Sequence, residues 1–178
     1  MVVDQNFLKV KKYFLLIFFF LLFTSKSYSN NYKFTKIIQL NEPWGSSFIN
    51  NNEIIITEKS GKIKIVNVVS KEVSEIKHHL NFLEVGQGGL LDIIHQDSTL
   101  WISYSEDRGD SKTSTSIAKA SLNKEELNFK NIFQANPPID SGYHFGSRLV
   151  IKGDYLFASA GERGQGMIAQ DPTKHPGS

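Results

Sequence analysis

The sequence predicts an all-β fold made of repeated four-stranded sheets, the blades of a propeller. Three observations carry this. Short apolar runs alternate with turn signals along most of the chain. Outside the N-terminal apolar run, no stretch of twelve or more residues shows a helical period. One strand motif also returns at long range. Trp44-Gly45-Ser46-Ser47-Phe48-Ile49 reappears as Phe145-Gly146-Ser147-Arg148-Leu149-Val150, 101 residues on, and Ile54-Ile55-Ile56 matches Tyr155-Leu156-Phe157 at the same offset. A weaker copy, Gly89-Leu90-Leu91 followed by Leu100-Trp101-Ile102, lies between them. One unit is therefore about 50 residues, the length of a propeller blade.

The expected strands follow in order. Trp44 to Ile49 leads through Asn50-Asn51-Asn52 to Glu53 to Thr57. After Ser60-Gly61, Lys62 to Val66 alternates at period two, as a half-buried strand does. Leu90 to Ile94 and Leu100 to Tyr104 flank Gln96-Asp97-Ser98. Ser116 to Ser121 and Phe129 to Phe133 flank a polar loop containing Asn123-Lys124-Glu125-Glu126. Arg148 to Ile151 and Tyr155 to Ser159 flank Lys152-Gly153-Asp154. Fewer than three units fit between Trp44 and Ser178, whereas a closed propeller needs about four or more. The expectation is an incomplete N-terminal part of a longer protein.

Residues 1–29 read as a secretory signal peptide, leaving 30–178 as the propeller segment. Lys9, Lys11 and Lys12 precede the apolar run Tyr13 to Phe23, and Ser27-Tyr28-Ser29 supplies the small-x-small cleavage pattern. The run is shorter than the roughly 20 apolar residues of a spanning helix, so no stable membrane span is expected after cleavage. A periplasmic or secreted bacterial protein is the corresponding expectation. The segment also explains the charge. It holds four lysines and one aspartate, so the 20 basic and 18 acidic residues of the whole chain become 16 and 17 beyond residue 29. Without a basic excess, nothing points to nucleic acid. Cysteine is absent, which excludes disulfides, thiolate metal sites and a cysteine nucleophile.

Several short motifs have chemical potential. In Gly86-Gln87-Gly88-Gly89 the glycines allow a sharp turn and close approach of a flat ligand, toward which Gln87 would offer its amide. A plain tight turn explains the same residues. His144, in Tyr143-His144-Phe145-Gly146, sits before a strand and has the ordinary pKa of a general base near neutrality. A surface histidine held by a neighbour is the alternative. Arg163, in Gly161-Glu162-Arg163-Gly164, faces the same end of the blades or is part of a surface turn. His78-His79 reads as solvated. Gly164-Gln165-Gly166-Met167-Ile168-Ala169 matches a dinucleotide-binding pattern, but Pro172 cuts short the helix it requires. Arg108-Gly109-Asp110 reads as a turn, with Glu106, Asp107 and Asp110 as an incomplete cation attractor.

Taken together, Glu42-Pro43-Trp44-Gly45, Thr57-Glu58-Lys59-Ser60-Gly61, Gly86-Gln87-Gly88-Gly89-Leu90-Leu91-Asp92, Ser103-Tyr104-Ser105, His144-Phe145-Gly146-Ser147-Arg148-Leu149, Gly161-Glu162-Arg163-Gly164, Ala169-Gln170-Asp171 and His175-Pro176-Gly177-Ser178 resemble the glucose/sorbosone dehydrogenase family, from about residue 36 onward. The resemblance implies a six-bladed propeller that binds pyrroloquinoline quinone (PQQ) and calcium and oxidises aldose sugars at C1 to lactones. It implies that Gln87 contacts the quinone, that His144 accepts the proton, and, more weakly, that Arg163 lines the sugar side. The electron acceptor is left open. Glu162 departs from the aspartate of most relatives. The family's arginine-asparagine pair, calcium ligands and later cofactor contacts correspond to positions beyond Ser178, so the chain alone is expected to turn over little. Two competing readings are a non-catalytic propeller that binds a sugar or a protein, and a metal-dependent lactone hydrolase. The latter lacks its converging ligands before Ser178.

Overall fold

The computed structural model describes residues 32–171 and 173. Contacts divide the chain into Met1–Thr35, almost wholly outside the described residues, and Lys36–Ser178, which carries every element below. The signal-peptide reading of 1–29 lies outside the described residues. Among the described residues, no helix is long and apolar enough to cross a membrane.

Two blades and the inner two strands of a third follow one another. The first blade is β1 (Pro43–Phe48), β2 (Glu53–Glu58), β3 (Ile63–Asn67) and β4 (Val73–His78), antiparallel throughout. The second is β5 (Leu90–Gln96), β6 (Thr99–Asp107), β7 (Thr113–Ser121) and β9 (Lys130–Gln134). Between β7 and β9, β8 (Glu126–Leu127) crosses to the outer edge of the first blade and pairs parallel with β4, Lys77 opposite Glu126 and His78 opposite Leu127. The third sheet is the hairpin β10 (Gly146–Lys152) and β11 (Tyr155–Ala160), followed by a short 3-10 helix, Gly166–Gln170.

The alternating residues of β2, β3, β5 and β6 become a shared core. Ile55, Ile63, Leu90, Ile93, Leu100 and Ile102 are all 0 % exposed. Each such side chain contributes about 1.5–3 kcal/mol on burial. The inner strands β1, β5 and β10 lie side by side, which is the propeller arrangement.

The sequence missed β4 and β8. In β4 only Ile76 is buried, so an outer strand with a solvated face leaves little alternation to read. β8 has two residues inside a loop that reads as polar. The repeat also needs a correction of register. All three inner hairpins carry a bulge in which two inner-strand residues oppose one: Trp44 and Gly45 against Thr57, Leu91 and Asp92 against Ser103, Ser147 and Arg148 against Ser159. Ser147 is thus the counterpart of Trp44, 103 residues on, and Ser159 that of Thr57, 102 residues on. The offset of 101 aligns Gly45 with Gly146 rather than the bulges, and the drop from 103 to 102 across the hairpin reflects the shorter turn of the third.

Candidate active site

The site forms where two loops meet at the start of the inner strands. The loop before β5 carries Gln87 and the loop before β10 carries His144. Their backbones interlock: Gln87 N–H donates to Gly142 O at 2.7 Å, and Gly88 N–H closes a turn onto Val85 O at 2.7 Å. The Gln87 side chain then crosses the junction, its Oε1 accepting from His144 N–H at 2.9 Å. Two residues 57 positions apart are thereby held as neighbours. Both side chains are exposed. Gln87 Nε2 and His144 Nε2 have no hydrogen-bond partner among the described residues.

The glycines around Gln87 serve this junction. Gly86 has φ +56°, and a Cβ there would lie 2.5 Å from Gly142 O. The loops approach too closely for a side chain. The expectation that these glycines make room for a ligand is therefore corrected: Gly86, Gly88 and Gly89 face protein atoms, and Gln87 is the residue that points outward.

His144 has φ +51°, outside the range most side chains prefer. Its backbone is pinned by Gln87 on one side and by the Gly161–Arg163 turn on the other. A Cβ on Gly161 would fall 1.8 Å from His144 O, so that turn lies directly against it. The next residue, Glu162, hydrogen-bonds the ring of His144 through Nδ1. This contact holds the Glu162 carboxyl below its ordinary value of 4.5. An ionised carboxylate at Nδ1 favours the tautomer with Nδ1–H, which leaves Nε2 with a lone pair. The sequence marked Glu162 only as a departure from the family pattern; its spacing of 18 residues from His144 gives no local signal of the pairing.

Arg163 stands apart from the exposed Gln87 and His144 side chains. It is 2 % exposed and turned inward. Nε donates to Tyr143 O at 3.0 Å, Nη1 to Thr113 O at 3.0 Å, Nη2 to Thr113 Oγ1 at 2.6 Å and also to Ser141 O. The guanidinium stacks 3.7 Å from the Phe145 ring centroid. Burial pulls its pKa down to about 10, so it stays protonated at neutral pH. Its work is to tie the loop before β10 to β7. The fork geometry of arginine suits several carbonyls at once.

In the acidic stretch near Arg108, Glu106 is turned inward and committed to neighbours within its own blade. Glu106 is 8 % exposed and accepts from Ser116 Oγ at 2.6 Å, Asn131 Nδ2 at 3.0 Å and Gln134 Nε2 at 2.7 Å. Tyr104 donates to Asn131 Oδ1 at 2.6 Å, and its burial, reinforced by Glu106, pushes the phenol up to about 12. This is a closed network inside the second blade. Among the described residues, no three His, Cys, Asp or Glu side chains converge as a metal site. His78 is likewise committed, its Nε2 lying 2.7 Å from Gly61 O, rather than solvated.

The comparisons agree with this architecture. The family model described as glucose/sorbosone dehydrogenase matches residues 40–178. An aldose sugar dehydrogenase of Escherichia coli (strain K12) is 32 % identical over 155 residues, covering 78 % of this chain and 40 % of the relative. The crystal structure of the soluble aldose sugar dehydrogenase from Escherichia coli superposes with a TM-score of 0.71 at 33 % identity, over 76 % of this chain and 42 % of that one. A PQQ-bound aldose sugar dehydrogenase from Streptomyces coelicolor shares the fold, with a TM-score of 0.65 at 22 % identity over 75 % of this chain and 42 % of that one. The chain spans about 40 % of the length of the curated relative. With β-propeller blades, the interlocked Gln87 and His144 loops and a family match over most of its length, this chain belongs to the glucose/sorbosone dehydrogenase family.

Proposed function

We propose that this chain supplies the proton-accepting side of a PQQ-dependent aldose sugar dehydrogenase that oxidises the sugar at C1 to a lactone. One observation carries the reading: a histidine with a free Nε2, a carboxylate on its Nδ1 and a free carboxamide N–H side by side at the mouth of the inner strands. PQQ, when bound, supplies the acceptor for the C1 hydride. The residues fit such a group in part. Gln87 spends its oxygen on His144 N–H, so Nε2 is the atom it has to offer, and the carbonyl oxygens of a quinone are acceptors. His144 Nε2 takes the proton of the C1 hydroxyl. Glu162 keeps the ring in the accepting tautomer and stabilises the imidazolium that results. Arg163 and Gln87 hold the His144 backbone, so the ring turns little as the proton moves. Calcium ligands and the remaining cofactor contacts belong, on this reading, to the rest of the protein. Residues 1–29 direct export, which places the enzyme where external sugars arrive.

The test uses the full-length protein with glucose and an electron-accepting dye. Dye reduction should require added PQQ, and His144→Ala should lower kcat about 100-fold or more while PQQ still binds. Gln87→Ala should raise the PQQ concentration needed. The 178-residue chain alone, given PQQ and calcium, should reduce little or no dye. Full activity without PQQ, or an unchanged rate for His144→Ala, sinks the proposal.

A further inference from the structure

The loop before β10 is fixed at every residue from Gly142 to His144, yet one of its side chains takes no part in that fixing. Gly142 O accepts from Gln87 N–H at 2.7 Å, and His144 N–H donates to Gln87 Oε1 at 2.9 Å. Between them, Tyr143 N–H donates to Ser141 Oγ at 3.2 Å, and Tyr143 O accepts from Arg163 Nε at 3.0 Å. The Tyr143 backbone is therefore held through both neighbours and by the buried guanidinium. A Cβ on Gly164 would stand 4.0 Å from Tyr143 Cβ, so the turn after β11 backs the residue. The ring itself belongs to no core. Tyr143 is 60 % exposed, and its phenol oxygen has no hydrogen-bond partner among the described residues.

That ring lies against the candidate base. Its centroid is 6.3 Å from that of His144, and the two planes meet at 66°. The rings thus form a corner, not a stack. A pyranose suits such a corner. Its flank of C–H groups carries partial positive charge and is drawn to the negative face of an aromatic ring. Its hydroxyls project from the edge, toward the second wall. A hydroxyl hydrogen-bonded to His144 Nε2 lies about 3 Å from it, which brings the sugar body within reach of a ring centred 6.3 Å from the imidazole. A tyrosine has only two side-chain torsions to freeze, so a ring on a fixed backbone gives up little freedom when a ligand arrives.

We propose that Tyr143 is a specificity-determining residue for the sugar, its ring carrying the C–H flank of the pyranose whose C1 hydroxyl meets His144. The inference rests on the reading of His144 as the proton acceptor. The ring is paired with His144, the group that meets the sugar on that reading, so the platform serves substrate rather than cofactor. It acts on the body of the sugar and not on the reacting atoms. Its contribution is therefore the same in the ground state and the transition state, and it belongs to binding rather than to the chemical step.

The test uses the full-length protein. Tyr143→Ala should raise KM for glucose about tenfold while kcat changes less than about threefold, the mark of lost uniform binding. Tyr143→Phe keeps the ring and should bring KM back to within about twofold of wild type. A second probe, 1-deoxyglucopyranose, keeps the pyranose body and lacks the C1 hydroxyl. Its binding, read by saturation-transfer NMR, should weaken about tenfold in Tyr143→Ala and about twofold at most in His144→Ala. This titration separates the two readings, because a failure of His144 as the base shows in the oxidation rate and not in the Tyr143 effect on a sugar that cannot react. A glucose KM unchanged in Tyr143→Ala overturns the proposal, as does undiminished binding of the probe by that variant. A lower urea midpoint with KM unchanged also overturns it, since other parts of the protein would then cover the ring. So does a higher PQQ requirement with KM unchanged, which would assign the ring to the cofactor.

Discussion

The seam between the first and second blades is filled by backbone, while the seam between the second and third is clamped by charge. At the first, Gly45 lies so close to β5 that a Cβ would sit 2.6 Å from Leu91 O and 2.7 Å from Asp92 Cα. At the second, Asp92, 3 % exposed, accepts from Leu149 N–H at 2.8 Å and from Arg148 Nη1 at 3.0 Å. Each seam is also crossed by one hydroxyl bond, Thr57 Oγ1 to Leu91 O at 2.5 Å and Ser103 Oγ to Ser147 O at 2.6 Å, so the difference lies in what surrounds it. The clamped seam holds β10, the strand that begins two residues after His144. The strand that follows the candidate base is thus the one fixed by a directional ionic contact, where position matters most.

Breaking the clamp should have the largest effect. Asp92→Ala leaves Leu149 N–H buried without its acceptor, and the chain should lose about 3 kcal/mol in urea unfolding. Asp92→Asn, which keeps one acceptor oxygen, should lose less. A stability unchanged in Asp92→Ala would mean that the two seams do not differ in kind. The close-packed seam is the second target. Gly45→Ala forces β1 away from β5 and should cost about 2 kcal/mol in the same measurement, with Asn51→Ala, at an exposed position in the turn of the same hairpin, as a near-neutral reference.

The smallest effect concerns the pair that flanks the third hairpin, His144 before β10 and Glu162 after β11. Glu162 titrates below 4.5 because His144 holds its carboxylate. The contact is therefore complete above that ordinary value and is lost as the pH falls through the lower, folded value. His144→Ala should move the Glu162 carboxyl back up toward 4.5, read by carbon-13 NMR, with little change in the unfolding midpoint. An unmoved titration would detach Glu162 from His144.

The sequence made the β-class and the blade length legible, because strands such as Ile63 to Val66 alternate and because the Trp44 motif recurs at Phe145. It misplaced the register of that recurrence, since identity between Gly45 and Gly146 is local while the bulge that aligns the blades is set by ladder pairing. His144 and Gln87 were visible as loop residues of suitable chemistry, but their contact is a product of two loops interlocking at Gly86 and Gly142. Arg163 shows the opposite failure. A charged residue in a glycine-rich turn reads as exposed, and only tertiary structure supplies the three carbonyls and the aromatic ring that bury it. Glu162 was legible as a charge and illegible as a partner.

The small strand β8 bears on colloidal behaviour. By lying along β4 it caps the outer margin of the first blade, so that margin offers fewer free backbone groups to a neighbouring molecule. The outer margin of the second blade is β9, whose five residues are all exposed and which pairs on one side only among the described residues. Ile132 and Phe133 add apolar side chains to that margin. A handling strategy for this polypeptide therefore follows from strand order alone: a lysine in place of Ile132 would do for the second blade what β8 does for the first, keeping concentrated solutions from growing sheet by sheet.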